Sequence, residues 1–252
     1  MVAIVVLLIG LPVAALILGP RLGPPKAHPR SGSDDRTHRL AQDVGEPTAT
    51  QPPDGLTPGQ CGVLTAPEAH YQHLTATLLD LGRREHVQIT LRKAPTETDD
   101  TAWWTLTATP GSDELADYER TLLTELRVTD HPAEFPSLTN GSADRVHRRL
   151  RRATKPHTTK TTPALALQRG IAQHPGNIDA GWFAHAVACD VSTTLTRSLT
   201  GRGIPSPPWI TTSCDTPITW PLMQQLALTG SPLLPQGPIQ GGFLGPGTPV
   251  GS

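Results

Sequence analysis

The chain has 252 residues, of which 27 are proline, 23 are glycine and only 4% are aromatic. This composition excludes one hydrophobic core over the whole length and favours one domain of about 100 residues, a smaller helical part and flexible ends. The formal net charge of -1 excludes a molecule that binds nucleic acid over its whole surface, although local basic patches remain open.

Residues 1–19 form an almost unbroken apolar run without a charged side chain. A helix of this length spans about 28 Å, close to the thickness of the hydrocarbon core of a bilayer. A cleaved secretory signal would need a basic start, and a buried core helix would carry some polar residue, so we favour a transmembrane helix over both. Its membrane-spanning side chains include Val2, Ile4, Leu8, Leu11, Leu16 and Leu18.

Basic residues follow this run, none precedes it, and only Asp34 and Asp35 oppose them nearby. The positive-inside rule then predicts a single-pass protein of the cell membrane, with its N terminus outside and its C-terminal part in the cytoplasm. Residues 20–52 are rich in proline and lack apolar periodicity, which predicts a flexible linker. The basic residues are Arg21, Lys26, Arg30, Arg36 and Arg39.

Apolar spacing predicts a small α+β domain over residues 53–128. Thr57 and Pro58 are typical of a helix start, because the hydroxyl caps free N–H groups and proline already has a helical φ. Apolar residues that alternate with polar ones indicate two strands suited to antiparallel pairing. The element order is that of a winged-helix-like domain. We predict helices over 57–64, 69–84 and 112–126, strands over 87–91 and 102–108, and a loop over 94–100.

The rest of the chain is predicted to be helical at first and then irregular. Ser142 is a candidate cap for a basic helix within residues 129–162, and a linker is predicted over 155–163. The helical segment 163–200 divides into helices over 163–173 and 179–199. Residues 201–252 are rich in glycine and proline and predict a mostly disordered tail, with one short helix over 222–228.

Several of these stretches resemble the cytoplasmic part of a bacterial predicted-membrane-protein family, catalogued as domain of unknown function 2207. They are PPDGLTPGQCGVL (52–64), LTATLLDLGRREHVQITL (74–91), WWTLTA (103–108), ELADYERTLLTEL (114–126), ALALQRG (164–170), WFAHAVACDVSTTL (182–195) and PSPPWI (205–210). The chain lacks two segments that are typical of the family, a large extracytoplasmic domain and a hydrophobic hairpin. It also differs from the family at the turn 82–86. Because the family has no established activity, the resemblance implies location and fold more than function.

A basic cluster within the predicted helix is opposed nearby only by Asp144. We favour contact with anionic lipid heads, where each near-surface cation contributes about 1 kcal/mol, because the linker lets the cluster return to the bilayer. Contact with nucleic-acid phosphates and a merely solvated helix face are the alternatives. The cluster consists of Arg145, Arg148, Arg149, Arg151, Arg152 and Lys155.

A winged-helix-like domain also suggests DNA binding through the helix 69–84. The loop 94–101 at the tip of the wing carries three carboxylates, which would repel phosphates, so we favour protein–protein packing over DNA. The side chains that this helix would offer to bases are Gln72, His73, Thr75, Thr77, Arg83 and Arg84. Of Trp103 and Trp104, which must point to opposite faces of a strand, one fills the core and the other marks a contact surface.

Two groups of residues have the spacing of metal ligands but lack a complete ligand set. His70 and His73 with Glu68 form one group, and His185 with Cys189 forms the other. We interpret them as incidental polar or core residues, and the three cysteines as buried or reduced thiols. The sequence has no motif of a catalytic nucleophile or phosphate-binding loop, and it predicts neither metal nor cofactor.

We therefore predict a membrane-anchored cytoplasmic interaction or scaffold module rather than an enzyme. Its expected partners are the lipid bilayer and another protein, with no small-molecule substrate evident. The alternative is a membrane-tethered winged-helix regulator that binds DNA. An enzyme would require His70, His73, His185 and Cys189 to converge in one cleft.

Overall fold

The computed structural model describes residues 39–40, 45–67, 70–96, 102–111, 113–128, 133–134 and 138–228. The predicted transmembrane helix over 1–19, most of the predicted linker and the tail beyond residue 228 lie outside this part. Among the described residues, none of the helices combines the length and the apolar character needed to cross a membrane.

The described chain is an α+β structure, as predicted. Its helices are α1 (Pro58–Thr65), α2 (His70–Arg83), α3 (Asp117–Glu125), α4 (Asn140–Thr154), α5 (Thr161–Gln173), α6 (Phe183–Ala188), α7 (Ser192–Gly201) and α8 (Trp220–Leu228). Its strands are β1 (Val87–Lys93), β2 (Trp103–Ala108), β3 (Ala133–Glu134) and β4 (Ile210–Thr212). The predicted order of helix, helix, strand, strand and helix in residues 53–128 is confirmed.

The sheet has the strand order β3-β2-β1-β4. Strands β1 and β2 pair antiparallel, as predicted, with Ile89 opposite Leu106. Strand β4 pairs parallel to β1, with Ile210 beside Ile89, in a region that the sequence assigned to the disordered tail. The local sequence does not predict this strand, because proline and glycine surround it. Its pairing partner, β1, lies more than 100 positions away in the sequence.

Helix α2 lies at the centre of the structure, and every residue from His73 to Gly82 is buried. Leu74, Leu78 and Leu81 supply the predicted apolar face. The opposite, polar face is buried as well, because α1, α4 and α6 pack around it. A helix surrounded in this way must satisfy its polar side chains inside the protein.

Helix α1 approaches α2 closely through two glycines one turn apart. On the α2 side, a Cβ on Gly59 would lie 2.5 Å from the Thr77 hydroxyl oxygen, and a Cβ on Gly62 would collide with the His73 ring. The Gly62 Cβ would also lie 2.9 Å from the Ala188 backbone oxygen at the end of α6. Real Cβ atoms do not come so close to other heavy atoms, so only glycine permits this distance between the helices. The predicted start of α1 is confirmed, since Thr57 caps it and bonds reciprocally with Gln60.

A segment before α1, residues 45–57, crosses α5, and we call it the strap. The Ala49 N–H donates to the Ala166 carbonyl at 2.9 Å, and the Lys160 ammonium donates to the Asp54 carbonyl at 2.6 Å. The sequence assigned residues 45–52 to the flexible linker, because three prolines and no apolar spacing mark the stretch 45–57. Its backbone is nevertheless held by hydrogen bonds to α5 and the residue before it.

Four other predicted boundaries differ from the structure. Helix α3 begins at Asp117 rather than 112, and Thr139, not Ser142, caps α4. The predicted linker at 155–163 contains a 3-10 helix, Lys155–Lys160, which continues into α5. The predicted helix over 179–199 breaks between α6 and α7, where Asp190 has a φ of 59° and ends the helical hydrogen bonding.

We expect Gly62→Ala to lower the free energy of unfolding by about 1–3 kcal/mol, because overpacking outweighs the better helix propensity of alanine. The matched control is Gly141→Ala in the first turn of α4, where no described atom from another part of the fold lies within 4 Å of the added Cβ. Urea denaturation of both variants of the full chain measures the difference. Equal stability of the two variants would contradict the close packing of α1 on α2.

Candidate functional site

A cleft of about 500 Å³ opens where the strap, the end of α2, the segment before α3 and the residues around α6 meet. We call it the carboxylate cleft, because carboxylates outnumber guanidinium groups in its described lining. Three of its lining side chains, Asp80, Glu119 and His185, are at least 95% buried. Buried polar groups that converge on a cleft are the usual mark of a binding site.

Arg84 holds three carboxylates together at the floor of the carboxylate cleft. Its guanidinium lies 2.7 Å from Glu119, 2.8 Å from Asp113 and 3.5 Å from Asp80. Arg83 also binds Asp80, at 2.9 Å. The end of α2 is therefore tied to α3 and to the segment that precedes it.

These contacts shift the pKa values of the groups that make them. Burial alone would lower the pKa of Arg84, but hydrogen bonds to Glu119 and Asp113 raise it above its ordinary value. The hydrogen bonds from Arg84 and, secondarily, His86 lower the pKa of the Asp113 carboxyl. The Arg84 guanidinium thus stays charged, and Asp113 stays ionised, throughout the physiological range.

The network continues from Glu119 to the start of α1. The Tyr118 hydroxyl lies 3.2 Å from Glu119 and 2.9 Å from the Thr57 hydroxyl that caps α1. Burial, together with the charge of Glu119, raises the pKa of Tyr118. Glu119 also accepts from the Ala116 N–H at 2.8 Å and so caps α3. One buried carboxylate therefore joins the ends of α1, α2 and α3.

His185 lies on another wall of the carboxylate cleft, beside Trp182. The two rings meet edge to face, with centroids 5.6 Å apart. Among the described residues, neither His185 ring nitrogen makes a hydrogen bond of regular geometry, although an interaction with the Leu56 backbone acts to raise its pKa. Burial, with a smaller contribution from Arg83, lowers the pKa of His185 to about 4. The imidazole is therefore neutral at pH 7, with one N–H donor and one acceptor nitrogen.

The predicted basic cluster lies on α4 and on Lys155, the first residue of the following 3-10 helix, and the structure divides it into two sets. Arg145 binds Glu125 at 2.7 Å, and Arg149 binds Asp117 at 2.5 Å, so both hold α4 to α3. The remaining members are exposed and form one stripe at helical spacing, which we call the basic face. It consists of Arg148, Arg151, Arg152 and Lys155.

Most of the side chains with which α2 was predicted to contact DNA bases are not exposed. Thr75 and Thr77 are buried, and Thr77 donates to the His73 carbonyl. Gln72 donates to Asp190 at 2.8 Å, and Arg84 lies in the carboxylate network. The predicted polar face of α2 is therefore largely an internal surface, and of the six candidate side chains Arg83 is the exposed one.

The described residues contain no group of three or more side chains suited to hold a metal ion. Glu68 and the His70 side chain lie outside the described part. His73 instead contacts His147, with ring nitrogens 3.2 Å apart. Cys61 and Cys189 are buried thiols, and burial with the nearby Cys189 raises the pKa of Cys61. His185 lines the carboxylate cleft and, among the described residues, belongs to no group that could hold a metal ion.

The sequence reasoning missed the carboxylate cleft because it assigned no role to Asp80 or Glu119. One signal was available: Asp80 interrupts an apolar run and stands four residues before Arg84, a spacing that brings the two side chains together on a helix. The prediction that the adjacent tryptophans divide between core and surface is confirmed, since Trp104 is 3% exposed and Trp103 is 47% exposed.

Comparison with known protein-family models, characterised proteins and solved structures finds no match to this chain. The resemblance to the predicted-membrane-protein family therefore stays a prediction.

We expect Arg84→Met to lower the free energy of unfolding by about 3–5 kcal/mol, because it leaves buried carboxylates without their counter-ion. Arg83→Met is the matched control, since that side chain is 44% exposed and, in the described part of the chain, Asp80 is the one carboxylate that it binds. Its expected loss is about 1 kcal/mol or less. Thermal or urea unfolding of the full chain measures both, and equal losses would contradict the central role of Arg84.

We expect His185 to make stability depend on pH between about 4 and about 6.5. Its folded pKa of about 4 lies below the ordinary value of 6.5, so the unfolded chain binds more protons in this window. The free energy of unfolding then falls by about 3 kcal/mol as the pH drops from 6.5 to 4. Urea titrations of the full chain should show a shallower slope in His185→Phe and an unchanged slope in His174→Gln, which removes an exposed imidazole.

Proposed function

We propose that this chain is a membrane-anchored cytoplasmic interaction module whose basic face docks on anionic lipid. The apolar run 1–19 is the proposed anchor, and residues 20–44 are the proposed tether. The winged-helix-like description of residues 53–128 is part of the proposal and is supported by the order of their helices and strands.

The observation that carries the proposal is the division of the arginines on α4. Among the described residues, no carboxylate lies within ion-pairing distance of Arg148, Arg151, Arg152 or Lys155, whereas Arg145 and Arg149 are each paired. Cations that the fold does not neutralise remain available to an anionic surface.

The geometry of α4 supports docking along the length of the helix. Its opposite side, with Val146 and Leu150, is fully buried in the core. The helix is therefore fixed, and its exposed cations recur over two turns at the spacing of one stripe. Anionic lipid heads form a flat, extended array of charge, which such a stripe can contact at several points together.

A protein partner is also part of the proposal, and Trp103 is the best candidate for its contact. Among the described residues, Trp103 is the one large hydrophobic side chain that is exposed to solvent. It stands at the end of β2, where its register partner is Lys93. Exposed tryptophans of this kind are over-represented in protein interfaces.

The test uses the full chain reconstituted in vesicles of phosphatidylcholine alone or of phosphatidylcholine with phosphatidylserine. A donor dye on Thr158→Cys, in a Cys214→Ser background, reports energy transfer to an acceptor lipid. Thr158 is exposed in the 3-10 helix that follows the basic face. We expect stronger transfer with phosphatidylserine, and we expect added salt to weaken it.

The deciding variant is Arg151→Glu with Arg152→Glu. Loss of the two near-surface cations alone costs about 2 kcal/mol, or about thirtyfold in the ratio of docked to free domain, and repulsion of the two glutamates by anionic lipid adds to this. The matched control is Arg127→Glu with Arg197→Glu, which makes the same charge change at exposed positions outside α4. Equal transfer in both lipid mixtures would overturn the docking, and failure to float with neutral vesicles would overturn the anchor.

A further inference from the structure

We propose that the carboxylate cleft is a binding site for an alkyl chain that ends in an ammonium or guanidinium group. This inference does not depend on the membrane location or on the basic face. It rests on the charge of the cleft, the buried imidazole on its wall and the apolar surfaces beside them.

The cleft carries an excess of negative charge. Five carboxylates and two guanidinium groups stand in its described lining. Both arginines are already bound to Asp80, Asp113 and Glu119, so they are not free to receive an anion. The remaining carboxylates, Asp54 and Glu114, are exposed at the rim, where Glu114 lies 3.8 Å from the exposed Arg120, and they attract a cation from solvent.

His185 supplies the independent evidence for a ligand. Its side chain is 95% buried and lines the cleft, yet apart from the Leu56 backbone interaction neither ring nitrogen has a hydrogen-bond partner among the described residues. An unpaired buried polar group costs free energy, so a native protein usually keeps one where a ligand or water completes it. A neutral imidazole offers an acceptor nitrogen to an N–H donor, as ammonium and guanidinium groups provide.

The remaining walls favour an organic cation over a bare metal ion. Pro52, Pro53 and Trp182 line the cleft and present apolar or aromatic surface. An indole ring attracts a cation to its face, and an alkyl chain packs against proline. The cavity of about 500 Å³ is large enough for a lysine or arginine side chain or a small diamine.

Two sources can present this chemistry: a free amine or a basic side chain of a peptide. The probes are therefore agmatine, cadaverine and the peptide acetyl-Gly-Gly-Arg-Gly-Gly-amide. The same peptide with citrulline in place of arginine is the neutral control. Calorimetric titration of the full chain in nonionic detergent measures affinity, and nitrogen NMR of the His185 ring reports where the probe binds.

We expect saturable binding of at least one cationic probe, a shift of the His185 ring nitrogens, and no binding of the citrulline peptide. Tighter binding of agmatine or cadaverine would assign a free amine, and tighter binding of the arginine peptide would assign a side chain. The variant Asp54→Asn with Glu114→Gln should bind about threefold to tenfold more weakly. These residues are exposed, so the variant keeps the fold.

The matched control is Glu85→Gln with Asp144→Asn, which removes two exposed carboxylates that do not line the cleft. It should bind the probe as the parent chain does. The proposal is overturned if no cationic probe binds saturably, if the rim variant and this control bind equally, or if the His185 resonances do not move.

Discussion

The burial of α2 on every side is the constraint from which the rest of the structure follows. An ordinary amphipathic helix turns its polar face to water, but α2 turns it toward α1, α4 and α6. Each polar side chain on that face then needs a partner within the protein. Thr77 finds one in the backbone of its own helix, His73 contacts His147, and Asp80 binds two arginines. The Thr75 hydroxyl is the exception on this helix, since it has no hydrogen-bond partner among the described residues.

Two features of the neighbouring elements meet that requirement. Glycines on α1 let its backbone come close to α2, and the Arg84 network joins the end of α2 to α3. The same network uses the arginines at the end of α2, while the arginines of α4 are divided between internal pairing and solvent. The cleft and the basic face therefore differ in one property. The fold neutralises the arginines that line the cleft, and it leaves the cations of the basic face without a carboxylate partner among the described residues.

Local pattern predicted most helices and the β1–β2 pairing, because Leu74, Leu78 and Leu81 or Val87, Ile89 and Leu91 repeat at the period of the element. It missed the strap and β4. Prolines in the strap and beside β4 are typical of disordered segments, and both elements are held by residues far away in the sequence. It also predicted that the polar side of α2 is available to a partner, because the sequence of a helix does not show which other elements pack against it. The cleft shares this difficulty: Asp80, Glu119 and His185 are separated by up to 105 positions, and only tertiary packing brings them together.

Amide hydrogen exchange of α2 in the full chain, followed by mass spectrometry, examines the burial of this helix most directly. If α2 is enclosed on every side, the amides from Leu74 to Leu81 exchange only when the whole domain unfolds and belong to the slowest class in the chain. Exchange of this segment as fast as that of the exposed stretch Lys155–Lys160 would show that α2 has an open face. In that case the internal polar network and the cleft built on it would both be incorrect.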